Sequence, residues 1–214
     1  MRSFLFLGCH LDDIEYGCGG LIAKLNRLYT DQINIRCLTL SVKNQDAQCK
    51  TTIIRDYEET LRAFKILGIM DLSNIETCNI PGQKFQYYTQ DIREILLMAR
   101  EKYAPDYIFF PAKKDIHQDH AVLAQEAFRI FRNQSCIGYE IIRSCYYLEP
   151  NLFIELDERD MVKKIDAVME YKSQLYQSSG YYFSPDVIKA NAVTNGARCG
   201  KKYAEAYEIY TMQM

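Results

Sequence analysis

The chain of 214 residues contains three histidines, and all three fall in two short acidic segments. His10 stands in Cys9-His10-Leu11-Asp12-Asp13-Ile14-Glu15. His117 and His120 stand in Asp115-Ile116-His117-Gln118-Asp119-His120. Idle histidines scatter over a surface, whereas each of these lies within three residues of an aspartate. Neutral imidazole and carboxylate are the ligand set of zinc and similar divalent ions. Two adjacent aspartates cannot both point at one ion without strain, so one can bind it while the other projects as a base. Of His117 and His120, one can ligate while the other donates a proton. Two histidines and a carboxylate leave a coordination position open to water. The ion lowers the pKa of that water and polarises an acyl oxygen, and a nearby carboxylate takes the proton. This chemistry needs no protein nucleophile, and the chain has no GxSxG motif. A metal-dependent hydrolase is the leading expectation.

The elements that must position these residues read as an α/β fold. Phe4 to Leu7 is a short apolar strand ending at the first motif, and a helical pattern follows through Leu21, Ile22, Leu25 and Leu28. Ile33 to Leu40 alternates as a second strand, and Ser41 to Lys50 reads as a loop. Arg55 to Leu67 is a helix closed by Gly68, and Ile75 to Ile80 a short strand. A helix from Thr89 to Lys102 leads to the strand Tyr107 to Phe110, which delivers the second motif, and Ala121 to Phe131 continues as a helix. The spacing then predicts β structure over Ile141 to Glu155, a helix over Asp160 to Tyr176 and a tyrosine-rich loop over Ser178 to Asn195. Such alternation implies a mainly parallel sheet covered on both faces, with both motifs at the carboxyl edge of the strands. Two segments roughly 105 residues apart can therefore converge on one site. No repeat or linker suggests a second domain, so residues 1–214 are expected to form one.

Composition narrows the class. Apolar residues are 48% and charged residues 25%, ordinary for a globular domain. A net charge of −2 gives no reason to expect nucleic acid or an anionic membrane as partner. No run approaches the roughly 18 apolar residues of a membrane span. The short apolar start, Phe4 to Leu7, reads as a buried strand rather than a leader. Eight cysteines without CxxC spacing point to reduced, buried thiols and a cytoplasmic location. The 17 tyrosines suit either a sugar-lining surface or packing, and self-association is compatible with them.

The two motifs carry a resemblance. Phe6-Leu7-Gly8-Cys9-His10-Leu11-Asp12-Asp13-Ile14-Glu15-Tyr16-Gly17-Cys18-Gly19-Gly20 resembles the PHPDDE…GxGG signature of the PIG-L/LmbE-like N-acetylglucosaminyl deacetylase family, and His117-Gln118-Asp119-His120 is similar to its HPDH motif. Further matches are Arg55 with Glu58 or Glu59, Lys172-Ser173-Gln174 and Ala204-Glu205-Ala206-Tyr207. The resemblance implies a Rossmann-like three-layer α/β sandwich and zinc-dependent removal of an N-acetyl group, usually from an amino sugar. Zn2+, or another divalent ion such as Fe2+, is the implied cofactor. His10, Asp13 and His120 would be the metal ligands and Asp12 the general base. His117 would stabilise the oxyanion or protonate the leaving amine, with Asp119 orienting it. Arg55 resembles an arginine that contacts substrate. Cys9, Leu11 and Gln118 stand where the family has prolines, which shape backbone and do no chemistry.

Other readings remain open on sequence. Gly17-Cys18-Gly19-Gly20 lacks the full GxGxxG order and suits tight packing of the first helix better than a dinucleotide. Asp115 is either an outer-shell partner of His117 or a solvated loop carboxylate. Glu15 either backs a ligand histidine or caps the following helix. Arg55 either reaches substrate or pairs with Glu58 or Glu59. The expected substrate is an amino sugar or glycoconjugate precursor. The alternatives are a metal-dependent amidase on a non-sugar N-acyl compound and a non-catalytic sugar-binding descendant.

Overall fold

A computed structural model describes residues 1–30, 32–42, 56–175 and 180–213. β1 (Arg2–His10), β2 (Ile33–Ser41), β3 (Ile75–Thr77), β4 (Tyr107–Pro111) and β5 (Ser135–Tyr139) form the parallel part of one sheet. β7 (Tyr203–Thr211) pairs antiparallel with both β5 and β6 (Leu152–Leu156), giving a seven-stranded order β3-β2-β1-β4-β5-β7-β6. β1 is buried on both faces, as a central parallel strand must be. Phe6 enters one apolar cluster while Leu5, Leu7 and Cys9 enter the other, and β4 divides Phe109 from Ile108 and Phe110 in the same way.

Helices cover both faces. The first cluster packs α1 (Asp13–Tyr29), α2 (Tyr57–Ile66), α5 (Glu158–Met169) and α7 (Pro185–Cys199) against the sheet. The second packs α3 (Thr89–Tyr103) and α4 (Gln118–Phe131) on the opposite face. The strand order therefore reverses between β1 and β4, the point at which an open α/β sheet leaves a crevice beyond its carboxyl ends. Both histidine motifs leave the sheet there.

The glycines after the first motif serve packing, as expected. A Cβ at Gly17 would lie 2.3 Å from the Tyr139 ring, and one at Gly20 would lie 2.3 Å from Leu156. Gly68 closes the turn after α2 at φ 98°.

Three expectations are corrected. Of the β structure expected over Ile141 to Glu155, residues 141–149 form turns and the strand is β6, after Pro150. The helix expected over Asp160 to Tyr176 ends at Met169 and resumes as the short α6 (Lys172–Leu175), Tyr176 lying outside the described residues. The loop expected over Ser178 to Asn195 is largely α7, capped by the Ser184 side chain with Pro185 at its first position and stopped by Gly200 at φ 73°. Of the loop expected over Ser41 to Lys50, Ser41 instead ends β2 and residues 43–50 lie outside the described residues, as does Arg55 with its expected substrate contact. Among the described residues seven cysteines are free, and no helix is long and apolar enough to cross a membrane.

Candidate metal and substrate site

β1 ends on His10, and the chain turns through Leu11 and Asp12 into α1. Asp13, the first residue of that helix, ties back onto the strand: its Oδ2 accepts the backbone N–H groups of Cys9 and His10, each at 2.9 Å. This tight reversal puts Asp12 at φ 123°, a conformation that costs an L-residue about 1–3 kcal/mol and recurs at functional sites.

The second motif is built around α4. His117 is the N-cap, and its Nδ1 accepts the backbone N–H of Asp119 at 3.2 Å. Neutral His117 therefore carries its proton on Nε2. Gln118 takes the first helical position, where a proline also fits. Asp115 is buried. One of its oxygens accepts the His117 backbone N–H at 2.8 Å; the other accepts the Ser144 hydroxyl at 2.9 Å and lies 2.9 Å from His120 Nδ1. Sequence left Asp115 as a partner of His117 or a loop carboxylate, and its side chain in fact backs His120.

Asp119 differs from expectation in its contacts. Its carboxylate lies 2.9 Å from His10 Nε2 and accepts the backbone N–H groups of Gln83 at 2.6 Å and Phe85 at 3.3 Å. The hydrogen bond to the His117 ring comes from its backbone N–H.

Two histidines thus share one arrangement. Each has one ring nitrogen held by a buried carboxylate and the other turned toward Asp13. His10 Nδ1 lies 3.5 Å and His120 Nε2 3.4 Å from Asp13 Oδ2. His120 Nε2 is buried and has no hydrogen-bond partner. Carboxylate-backed imidazoles facing a shared acid could hold a divalent ion, with the carboxylates behind them orienting the rings. Grouped by donor distance alone, Cys9, Asp13 and His120 form one set within 4.8 Å, and His10, His117 and Asp119 another. Cys9 belongs to the apolar cluster with Leu5 and Leu7 and is not among the residues that line the cavity described below. The rings of His117 and His120 stack at 4.5 Å, and His10 meets His117 edge-on at 5.0 Å.

The field at this point favours positive charge. Burial pulls the His120 imidazole down, but Asp13 and Asp115 outweigh it and hold the pKa up to about 10. Burial raises Asp13, yet His120 and His10 hold its carboxyl well below the usual range. Burial, reinforced by the charges of His120 and His10, lowers His117 to about 4, so it is neutral at pH 7.

His10, Asp12, Asp13, His117 and His120 line one cavity of about 420 Å³, joined by Gln83, Gln118, Gln174, Ser144, Arg143 and Tyr182. The Lys172-Ser173-Gln174 motif has a local role here. Ser173 donates its backbone N–H and hydroxyl to Glu59, at 3.0 and 2.6 Å, and accepts the Gln174 side-chain amide at 3.3 Å. Glu15 fits neither sequence reading: it accepts the Tyr171 hydroxyl at 2.5 Å, and burial pushes its pKa up to about 8. Gln83, Arg143 and Ser144 had no motif to mark them, whereas Tyr182 belongs to the tyrosine cluster Tyr181-Tyr182-Phe183 that suited either a sugar-lining surface or packing.

Fold and site together define a class, the α/β de-N-acetylases, and comparison with known proteins agrees. The sequence profile of the PIG-L family, described as GlcNAc-PI de-N-acetylase, matches residues 5–131, and the chain belongs to that family. It is 26% identical over 178 residues to YaiS of Escherichia coli strain K12, described as an uncharacterized deacetylase, covering 80% of this chain and 91% of that one. The N,N'-diacetylchitobiose deacetylase of Pyrococcus horikoshii shares the fold with a TM-score of 0.71 at 17% identity, covering 97% of this chain and 83% of that one. The teicoplanin deacetylase Orf2, solved in a zinc inhibited form, does so with a TM-score of 0.75 at 15% identity, covering 96% and 97%.

Proposed function

We propose that this chain is a zinc-dependent deacetylase that removes the N-acetyl group from a GlcNAc-type amino sugar or glycoconjugate precursor, at the carboxyl edge of a Rossmann-like sheet. The observation that carries the reading is the pair of carboxylate-backed histidines turned toward Asp13. His10 Nδ1, Asp13 Oδ2 and His120 Nε2 would hold the ion, and the buried, partnerless Nε2 of His120 is the donor this arrangement needs. A divalent ion there supplies Lewis acidity toward the acyl oxygen and lowers the pKa of a water.

The chain's own residues do the rest. Asp12, on the cavity wall beside Asp13, takes the proton of the attacking water and returns it to the departing amine. Neutral His117 donates its Nε2–H to the acyl oxygen as charge develops there. Asp119 and Asp115 fix the tautomers of His10 and His120 rather than acting on substrate. Three glutamine side chains and Ser144 around one cavity suit the hydroxyls of a sugar. Arg55 stands as a proposed substrate contact on the family resemblance.

The test is metal content by mass spectrometry after loading with Zn2+ or Fe2+, because a relative of this fold is described in a zinc inhibited form. Acetate release is followed from GlcNAc, UDP-GlcNAc, a GlcNAc glycoside and non-sugar N-acetyl amides. One ion per chain and chelator-sensitive release from a sugar is the expected result. Asp12→Asn should keep the ion and lose turnover by roughly 10²–10⁴-fold; normal turnover would remove Asp12 as base. His120→Ala should lose the ion, and unchanged metal content would strike it from the ligand set. Release from the non-sugar amides alone would move the reading to an amidase.

A further inference from the structure

The cavity wall is mixed, with Ile116 and Ile141 among its polar and charged side chains. Asp12, Asp13 and the three histidines line it together with Arg143, the one arginine or lysine among the described lining residues. Arg143 lies on the connection between β5 and β6, with its guanidinium carbon 5.2 Å from the centroid of the Tyr182 ring. Tyr182 is itself held: its backbone carbonyl accepts the Tyr16 hydroxyl at 3.1 Å, and its ring packs on Tyr16 and Phe183 at 5.6 and 4.7 Å. The backbone under Arg143 is equally fixed. Ser144 N–H donates to Ile141 at 2.9 Å, Ile116 N–H donates to the Ser144 carbonyl at 3.0 Å, and the Ser144 hydroxyl binds Asp115. The guanidinium is thus tied through one turn to the acid that backs His120.

An arginine stacked on an aromatic face keeps its donor fork in a set plane and matches planar or tetrahedral oxyanions edge-on. Arg143 offers this fork to the same cavity that the histidines line. We propose that Arg143, seated on Tyr182, binds a phosphate or carboxylate group carried by the substrate beyond its acetylated sugar, and so selects anionic over neutral glycosides. This rests on the reading that the acetyl group meets the histidines.

The test compares GlcNAc-1-phosphate, a GlcNAc glycoside with a carboxylate aglycone and the neutral methyl glycoside, in wild type, Arg143→Gln and Arg143→Lys. Arg143 is exposed, so these variants should fold. In wild type at least one anionic substrate should have a kcat/KM about tenfold to a hundredfold above the neutral one, through KM. Arg143→Gln should collapse that ratio toward one, and Arg143→Lys should restore part of it. Which anion shows the preference separates phosphate from carboxylate. Equal use of neutral and anionic glycosides by wild type, or a preference kept by Arg143→Gln, overturns the proposal. If no sugar is deacetylated, the functional reading fails separately. Calorimetry with GlcNAc-1-phosphate and the carboxylate glycoside then decides: Arg143-dependent binding of either upholds the anion site, and its absence rejects it.

Discussion

Two buried carboxylates touch α1, and they are treated in opposite ways. Glu205, on β7, is closed on all sides by the protein's own donors. It accepts the backbone N–H groups of Gly20 at 2.9 Å and Leu21 at 2.7 Å, the Lys164 ammonium at 2.6 Å and the Tyr207 hydroxyl at 2.7 Å. Asp13, at the start of the same helix, has two backbone donors, but its histidine neighbours stand off at 3.4–3.5 Å with other carboxylates behind them. Similar ingredients give a sealed structural lock in one place and a socket with cation-seeking geometry in the other. What separates them is geometry: whether the positive partner is a side chain already in contact or a pair of rings held just out of reach.

The comparison can be broken by exchanging the costs. Glu205→Ala leaves Lys164 buried without its partner and should destabilise the chain by about 3–5 kcal/mol, read by denaturant titration, with metal content per folded chain unchanged. Asp13→Asn should do the reverse, with the smaller stability loss and no retained metal. If Glu205→Ala lost metal, or Asp13→Asn kept it, the division between lock and socket would fall. At the next level, Asp115→Asn and Asp119→Asn should each weaken metal affinity by roughly 10–100-fold, measured by competition with a chelator. No change would mean that these acids do not hold the ligand rings. The smallest expected effect concerns the strained residue: Asp12→Gly relaxes φ 123° and should stabilise the chain by about 1 kcal/mol, roughly 2–4 °C in Tm, while abolishing turnover. An unchanged or lower Tm would show that the conformation carries no cost.

What could be read in the sequence follows from how local each signal is. β1, α1, β4 and both motifs declare themselves because strand burial and helix periodicity act over a few residues. The convergence of His10 with His117 and His120 also follows, since parallel strands deliver their ends to one edge. The backing pairs are not legible in this way. Asp119 sits between two histidines in sequence yet reaches a third from the other segment, because the helix start points its side chain toward β1. Fold errors have similar causes. α7 was hidden because its buried positions, Ile188, Ala192, Asn195 and Gly196, have helical spacing but small or polar side chains. Strand-forming residues over 141–149 misled because that segment turns to meet Asp115 instead of pairing. Arg143 and Tyr182 belong to connections whose meeting no periodicity encodes.

The position of β7 has a consequence for the order of assembly. This last strand is inserted between β5 and β6, and its Glu205 completes the hydrogen bonding of Gly20 and Leu21, 185 and 184 residues earlier. During synthesis α1 emerges well before β7, the strand that carries the partner of its middle turn. Until that strand arrives, β5 and β6 each present an unpaired edge, a template for pairing with other chains. Completion of the sheet therefore waits for β7, and a nascent chain stalled before residue 203 would be a species for chaperones or proteases rather than a smaller enzyme.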